Sequence, residues 1–519
     1  MSQVQPVDIV APGAFGLNTE KKNTLLAPQW CTTALNAVIH RSGRIGSRDG
    51  WANQTATAIA ATPTIDTLHE YLQEDGSSTI VSTAANKIYK NFSDFTDAAN
   101  DITSSTAPTA DHWQFVNFND KCLGFQKGHT PIVWTGTGDF TDASYSGTGP
   151  DGNCAVAAFG RVWAADADLQ TIRVSALLDD TDYQSASGGG TIDMSSVWTG
   201  GMDEIVAITA LGSNLIVFGK NHIVLWADGS GSEIGMTLAD AQIVDTIEGT
   251  GCIARDSIQA TGEGDLIFLS RHGLQSLGRV IQFKSNPVVT LTKNVRTDFV
   301  SDVKTQRAAD SEMDQVRSTW NAEEGIYIIN FPTVGAQWVL DTEHSFTAED
   351  QDSAFPVTQW RLGGAPVGMV STISGNLYLG SAGVVGKYSG ESDNSTAFDF
   401  EFKTGWLDFG EMNHRLKMMK EIVATVQVGE QSLIWNWEFD FSGTALTRTV
   451  AYTGGNSAEF NVAEFNVDEF SGAVTLQRKA LPAHGEGQFL RLGCTASVDG
   501  FAVTIQQMSV APKIGRMVT

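Results

Sequence analysis

Between residues 67 and 390 the apolar positions fall into a recurring phrase: a short strand, a Gly/Asn/Asp turn, a second apolar strand, then a third strand. The phrase appears seven times. TLHEYLQEDGSSTIVSTAANKIYKNF turns near Gly76 and Asn86, WQFVNFNDKCLGFQKGHTPIVWTG at Asn119-Asp120, and CAVAAFGRVWAADADLQTIRVS around Gly160. IVAITALGSNLIVFGKNHIVLWADG turns around Ser213-Asn214 and SIQATGEGDLIFLSRHGLQSLG at Glu263-Gly264. VRSTWNAEEGIYIINFPTVGAQWVLD and VGMVSTISGNLYLGSAGVVGKYSG complete the series. Equivalent turns lie roughly 40 to 60 residues apart, the size of a four-stranded blade, and such sheets bury their faces only by stacking on one another. The pattern predicts a β-propeller-like domain of six or seven blades over residues 61–391; a series of unrelated β-meanders is the competing reading.

After residue 392 the strands lengthen and alternate strictly. AFDFEF places Phe398, Phe400 and Phe402 on one face, and SLIWNWEFDF does the same with Leu433, Trp435, Trp437, Phe439 and Phe441. With further strands at EIVATVQV, FLRLGC and FAVTIQQMSV, residues 392–519 read as a C-terminal β-sandwich. In AEFNVAEFNVDEF the residues Phe460, Phe465 and Phe470 recur every five positions, matching neither strand nor helix, which reads as a duplication in an exposed loop whose Phe side chains could anchor on a neighbouring subunit. Residues 1–60 are expected to form neither blade nor sandwich. ALNAVIHRSGRIGSRDGW reads as a hairpin turning at Ser42-Gly43, in preference to a helix over 28–41, and APGAFGLNTEKKNTLLAPQW as an extended arm.

Composition agrees with an all-β chain: 52 Gly against 13 Pro, with 18% charged residues in 519. The formal charge of −26 argues against affinity for phosphate backbones, because nucleic-acid binders rely on Lys and Arg to displace condensed counterions. Cys31, Cys122, Cys154, Cys252 and Cys494 are odd in number, widely spaced and without a CxxC pair, so they read as buried thiols of a reducing compartment. The start MSQVQPVDIVAPGAFG has neither a basic nor an apolar leader region, and no uncharged apolar run reaches membrane-spanning length. A product made in the cytosol, with no integral membrane association, is expected.

Three groups of residues imitate catalytic motifs. Arg271-His272-Gly273 spells a phosphatase tripeptide, but it lies between two apolar strands and reads as a hairpin tip. GTGPDG (Gly147–Gly152) and GTGCIA (Gly249–Ala254) spell dinucleotide fingerprints without the following helix that would face a pyrophosphate, and read as inter-blade turns. The clusters Asp179/Asp180/Asp182 and Glu323/Glu324 read as solvated loops, since glycosidase chemistry needs one acid desolvated in a cleft. No GxSxG elbow, HExxH pair or EF-hand loop is present. The sequence reading therefore assigns no catalytic, cofactor-binding or metal-ligating residue and expects no enzyme.

The run GAFGLNTEKKNTLLAPQWCTTALNAVIHRSGRIGSRDGW resembles short-tailed phage tail proteins at Gly16, Leu17, Asn18, Ala34, Asn36, Gly43, Ile45, Arg48 and Gly50. GTGCIARDSIQATGEGDLIFLSRHGLQSLG and GQFLRLGCTASVDGFAVTIQQMSVAPKIGRM are similar to the same family, the podovirus tail nozzle, also called tail tubular protein B or packaged-DNA stabilisation protein. The resemblance implies a homohexamer forming the distal tube of a virion tail, assembled in the host cytoplasm. It further implies contacts to a head-to-tail adaptor and to tail fibres or spikes, and a channel that retains and then conducts genomic DNA. On this reading residues 1–30 form an inter-subunit strap. A carbohydrate-binding or glycan-cleaving propeller acting in receptor recognition is the alternative, and a bacterial surface or scaffolding propeller a further one.

Overall fold

Backbone conformation at the turns follows the letters that announced them. Asn119 and Asp120 both adopt positive φ (47° and 56°) between the strands Gln114–Phe118 and Lys121–Phe125, the geometry of a two-residue hairpin turn. Ala85-Asn86 and Phe159-Gly160 repeat it in the blades on either side. The computed structural model describes residues 7–517 apart from 41–42, 105–111, 199–201, 230–235, 263, 283–289, 348–352, 364–365, 409–414 and 454–474. The Phe460/Phe465/Phe470 repeat lies outside the described residues.

The chain is a β-propeller joined to a β-sandwich. Six small sheets stand alone as blades, with inner strands Thr67–Leu72, Gln114–Phe118, Ala155–Ala158, Ile205–Leu211, Gln259–Ala260 and Met369–Ser371. The remaining sector, Arg317–Asp341, lines the same central cavity but continues into a ten-stranded sheet. Alternation on the middle strands explains the repeat. In Asn214–Gly219, Leu215 and Val217 join a cluster with Trp163 and Val174 of the blade before, while Ile216 and Phe218 join one with Leu266 and Phe268 of the blade after. Each blade thus covers two neighbours, at about 1.5–3 kcal/mol for each fully buried large side chain.

The sandwich packs two sheets around Phe400, Phe402, Trp435 and Trp437 from one and Ala424, Val426, Ile505 and Val510 from the other. The expected stripe ends early. Leu433, Trp435 and Trp437 are buried, but Asp440 and Phe441 both take positive φ as the chain turns, which leaves Phe441 exposed.

The expectation that residues 1–60 form neither blade nor sandwich is corrected by strand pairing. Trp30–Leu35 lies inside the ten-stranded sheet, antiparallel to Phe398–Thr404, and makes a parallel contact with Val357–Trp360 on its other side. Val7–Val10 pairs with Val510–Gln507. The strands of the expected hairpin pair as Ala37–Ile39 with Ile45–Ser47, Ser42 of its turn lying outside the described residues, and Trp51–Asn53 supplies the outer strand of the last blade, paired with Gly386–Tyr388. An extended segment must satisfy its backbone donors and acceptors, and here the edges of its own chain satisfy them.

Two helices also went unforeseen, Leu277–Gln282 and Arg296–Ala309; the second buries Phe299, Val303 and Gln306 against the core. Val295, Phe299 and Val303 at intervals of four were the available signal, diluted by the charged residues between them.

Candidate functional site

Asn36, Arg48 and Gly50 of the N-terminal run meet at the seam between propeller and sandwich. Arg48 is fully buried and uses all five donors of its guanidinium. Nε donates to Asn36 Oδ1 (3.0 Å), Nη1 to Asp393 Oδ1 (2.9 Å) and the Asp49 carbonyl, and Nη2 to Asp393 Oδ2 (2.8 Å) and the Arg361 carbonyl. Its plane lies 4.0 Å over the Phe398 ring. Asn36, with φ 51°, donates through Nδ2 to the Asp399 carbonyl and accepts from Arg361 N. A side chain on Gly50 would overlap the Ser392 backbone, and one on Gly16 would sit 2.6 Å from Val357 N. Leu17, Asn18, Ala34 and Ile45 are buried alongside. The motif therefore builds a buried joint in which every guanidinium donor is satisfied.

A second feature is the axial cavity of the propeller, 360 Å³, lined by the inner strands of all seven sectors. Two arginines span it. Arg255 pairs with Asp256 and donates to the carbonyls of Asn153 and Trp113, while Arg317 pairs with Asp66 and lies 3.2 Å from Asp256. His112 Nε2 lies 2.8 Å from Arg255 Nη2 and 3.0 Å from Asp256, and its Nδ1 3.3 Å from Asp314. Burial works against the charge of Asp256, yet Arg255, Arg317 and His112 outweigh it and hold the carboxyl well below the usual range. These side chains tie five blade sectors together across the cavity.

A 280 Å³ side cavity lies beside the seam, walled by Val38, Ile326, Val339, Trp360 and Tyr388, with Asp49, Glu324, Asp341, His40 and His344 among its polar groups. Trp360 and Tyr388 stack at 5.4 Å, and Tyr388 Oη accepts from Asp49 N. Burial, then Asp49 and Glu323, pushes Glu324 up to about 7; burial, then Asp49, does the same to Glu391. Burial raises Asp49 as well, against the pull of Arg48. The expectation of a solvated loop therefore holds for exposed Glu323 but not for Glu324.

The other imitated motifs fall apart in space. Arg271-His272 is the two-residue turn of a hairpin in register at Ser270 and Gly273. Gly147–Gly152 and Gly249–Ala254 are loops before the third and fifth inner strands, without a helix on a phosphate-binding side; only the single 3-10 turn Arg255–Ser257 follows the second. Asp180 is buried against Lys121 (2.7 Å), a correction to its solvated reading, while Asp179 and Asp182 accept backbone bonds from Thr181 and Gln184. All five cysteines are buried free thiols. Among the described residues no three His, Cys, Asp or Glu side chains are arranged to hold a metal ion, and no helix is long and apolar enough to cross a membrane.

No family model matches the chain, and no curated protein matches it by sequence. Solved structures similar to it include the extracellular domain of the one component system BT4673 from B. thetaiotaomicron, at 10% identity and TM-score 0.38, covering 83% of this chain and 60% of that one. The WD40 β-propeller domain of Doa1 is similar at 9% identity and TM-score 0.37, over 65% of this chain and 96% of that one. Hsv2 of Kluyveromyces lactis follows at 11% and 0.32, over 54% and 82%. The chain thus spans three-fifths of the first of these.

Proposed function

We propose that the chain is a structural subunit of a short-tailed phage tail, the nozzle, in which six copies form a ring that retains packaged DNA and conducts it at ejection. The reading includes an adaptor ring on one side and fibres or spikes on the other. The observation that carries it is the buried seam: the residues resembling the nozzle family, Asn36, Arg48 and Gly50 above all, weld propeller and sandwich into one stiff body. A conduit wall needs such a body.

The side chains hydrogen-bonded across the axis of the single propeller favour a DNA path between copies over one within a copy. Net charge supports passage without capture, since a wall with a surplus of carboxylates repels phosphate and gains nothing from counterion release. The glycan reading is less well supported. Among the described residues the most exposed large apolar side chains are aliphatic or Met except for Phe441, so the aromatic side chains offer sugars only partly exposed rings.

Negative-stain microscopy of the purified chain tests the reading. A six-fold ring with a hole wide enough for duplex DNA is expected; a lone monomer at high concentration, or hydrolysis of host glycans by the chain, overturns it.

A further inference from the structure

The outer strand of the fourth blade, Ala241–Glu248, is eight residues long, whereas the outer strands Thr141–Asp142, Gly190–Asp193 and Trp51–Asn53 have two, four and three. Its outward edge pairs with no other strand among the described residues. Ile243 and Val244 are 45% and 63% exposed, adjacent in a bulge opposite Leu225 and Trp226. A bulge blunts an edge against indiscriminate pairing, yet this one presents two β-branched side chains to water, where a polar pair would serve solubility better. Residues 240–248 carry Asp240, Asp245 and Glu248 and no Lys or Arg.

Two strands that end the sandwich sheets carry the opposite sign. Leu446–Tyr452 and Thr475–Pro482 are the terminal strands of the two sheets, tied together by Lys479 Nζ to the Ala451 carbonyl and Gln477 Nε2 to the Thr453 carbonyl, both 2.6 Å. They contain Arg448, Arg478 and Lys479 and no acid, in a chain of 59 acids and 33 bases. Arg448 and Arg478 are exposed, as is Leu476 at 59%.

We infer that the Ala241–Glu248 rim of one copy docks on the Leu446–Tyr452/Thr475–Pro482 edge of the next, with Ile243 and Val244 against Leu476 and the charges of opposite sign around them. Two different patches on one chain make a head-to-tail contact, the kind that closes into a ring when the rotation permits. Opposite charge steers the encounter and fixes the register. The inference deepens the ring reading and rests on it for closure.

Native mass spectrometry and sedimentation velocity on the full chain provide the test, with Ile243→Lys/Val244→Lys as one variant and Arg448→Glu/Arg478→Glu as the other. All four positions are solvent-exposed, so the thermal midpoint and near-UV circular dichroism should match the parent. Each variant should need at least tenfold higher concentration to assemble. Mixed together they should form one-to-one pairs, because each retains the patch the other has lost. If the lysine variant loses its fold, Glu248→Lys and Arg448→Glu, weakening singly and restoring assembly when mixed, provide the same evidence. Rings that persist in both variants, or a mixture that stays monomeric, overturn the interface and leave the conduit reading standing. A parent chain monomeric at every concentration overturns both.

Discussion

At the residue scale, loop construction accounts for a part of the negative charge. Asp75, Asp94, Asp97, Asp168, Asp179, Asp182 and Asp193 each accept from a backbone N–H two positions on, the bond that makes Asp a turn former. The Thr181 hydroxyl, then its N–H, holds Asp179 below the usual range. Groups with depressed values stabilise the fold above the unfolded value and lose that contribution as pH falls through the folded one.

Glu324 works in the opposite sense. Raised from 4.5 to about 7, it costs nothing below pH 4.5, and its cost grows up to pH 7 and stays constant above. Glu324→Gln should therefore match the parent near pH 4.5 and gain about 1–2 kcal/mol at pH 8 in urea titrations, after discounting for partial exposure and for coupling to Asp49. An equal gain at both pH values would contradict the assignment. Arg48→Ala strands Asp393 without its bidentate partner in a buried site and should cost about 3–5 kcal/mol. Arg48→Lys should recover little of this, because one ammonium cannot replace a fork that serves five acceptors.

At the scale of elements, sequence reasoning read the local features well and the distant pairings poorly. Turns such as Asn119-Asp120 are written in adjacent letters, and so is the Phe398/Phe400/Phe402 alternation. Arg48 could be picked out as a motif residue, but its partner Asp393 lies 345 positions away and nothing near either residue announces the pair. The same holds for the N-terminal strands, whose short, half-polar text fits an arm as well as a sheet. The side cavity was equally hidden, since Asp49, Glu324 and Tyr388 meet only through tertiary folding.

Because Ile9, Leu17 and Leu26 are buried, removing residues 1–29 should lower the thermal midpoint by several degrees in scanning calorimetry, rather than simply release folded monomers from an assembly. An unchanged midpoint would restore the arm as a strap. Gly386→Ala, whose new methyl would overlap the Trp51 indole, should cost about 1–3 kcal/mol by loosening the last blade.

For the whole molecule, the seam predicts a single cooperative unit. Cys122, Cys154 and Cys252 lie in the propeller, and Cys31 and Cys494 in the sandwich sheet, all buried and with thiols raised by burial. Thiol labelling across a guanidinium gradient, read by peptide mapping, should show both sets becoming reactive over the same range. Separate midpoints would mean that propeller and sandwich unfold independently. The native chain should react slowly at all five positions, since an inaccessible thiol with a raised value offers almost no thiolate.

The pairing of Trp51–Asn53 with Gly386–Tyr388 also bears on how the chain is made. The strand that latches the last blade leaves the ribosome more than 300 residues ahead of its partner and waits for it. Trp30–Leu35 waits longer still, for Phe398–Thr404. During that interval the nascent ring stays open, with apolar blade faces uncovered, so this topology favours slow, late closure and dependence on chaperones. Chains truncated before residue 388 should accumulate as aggregates, however complete their individual blades.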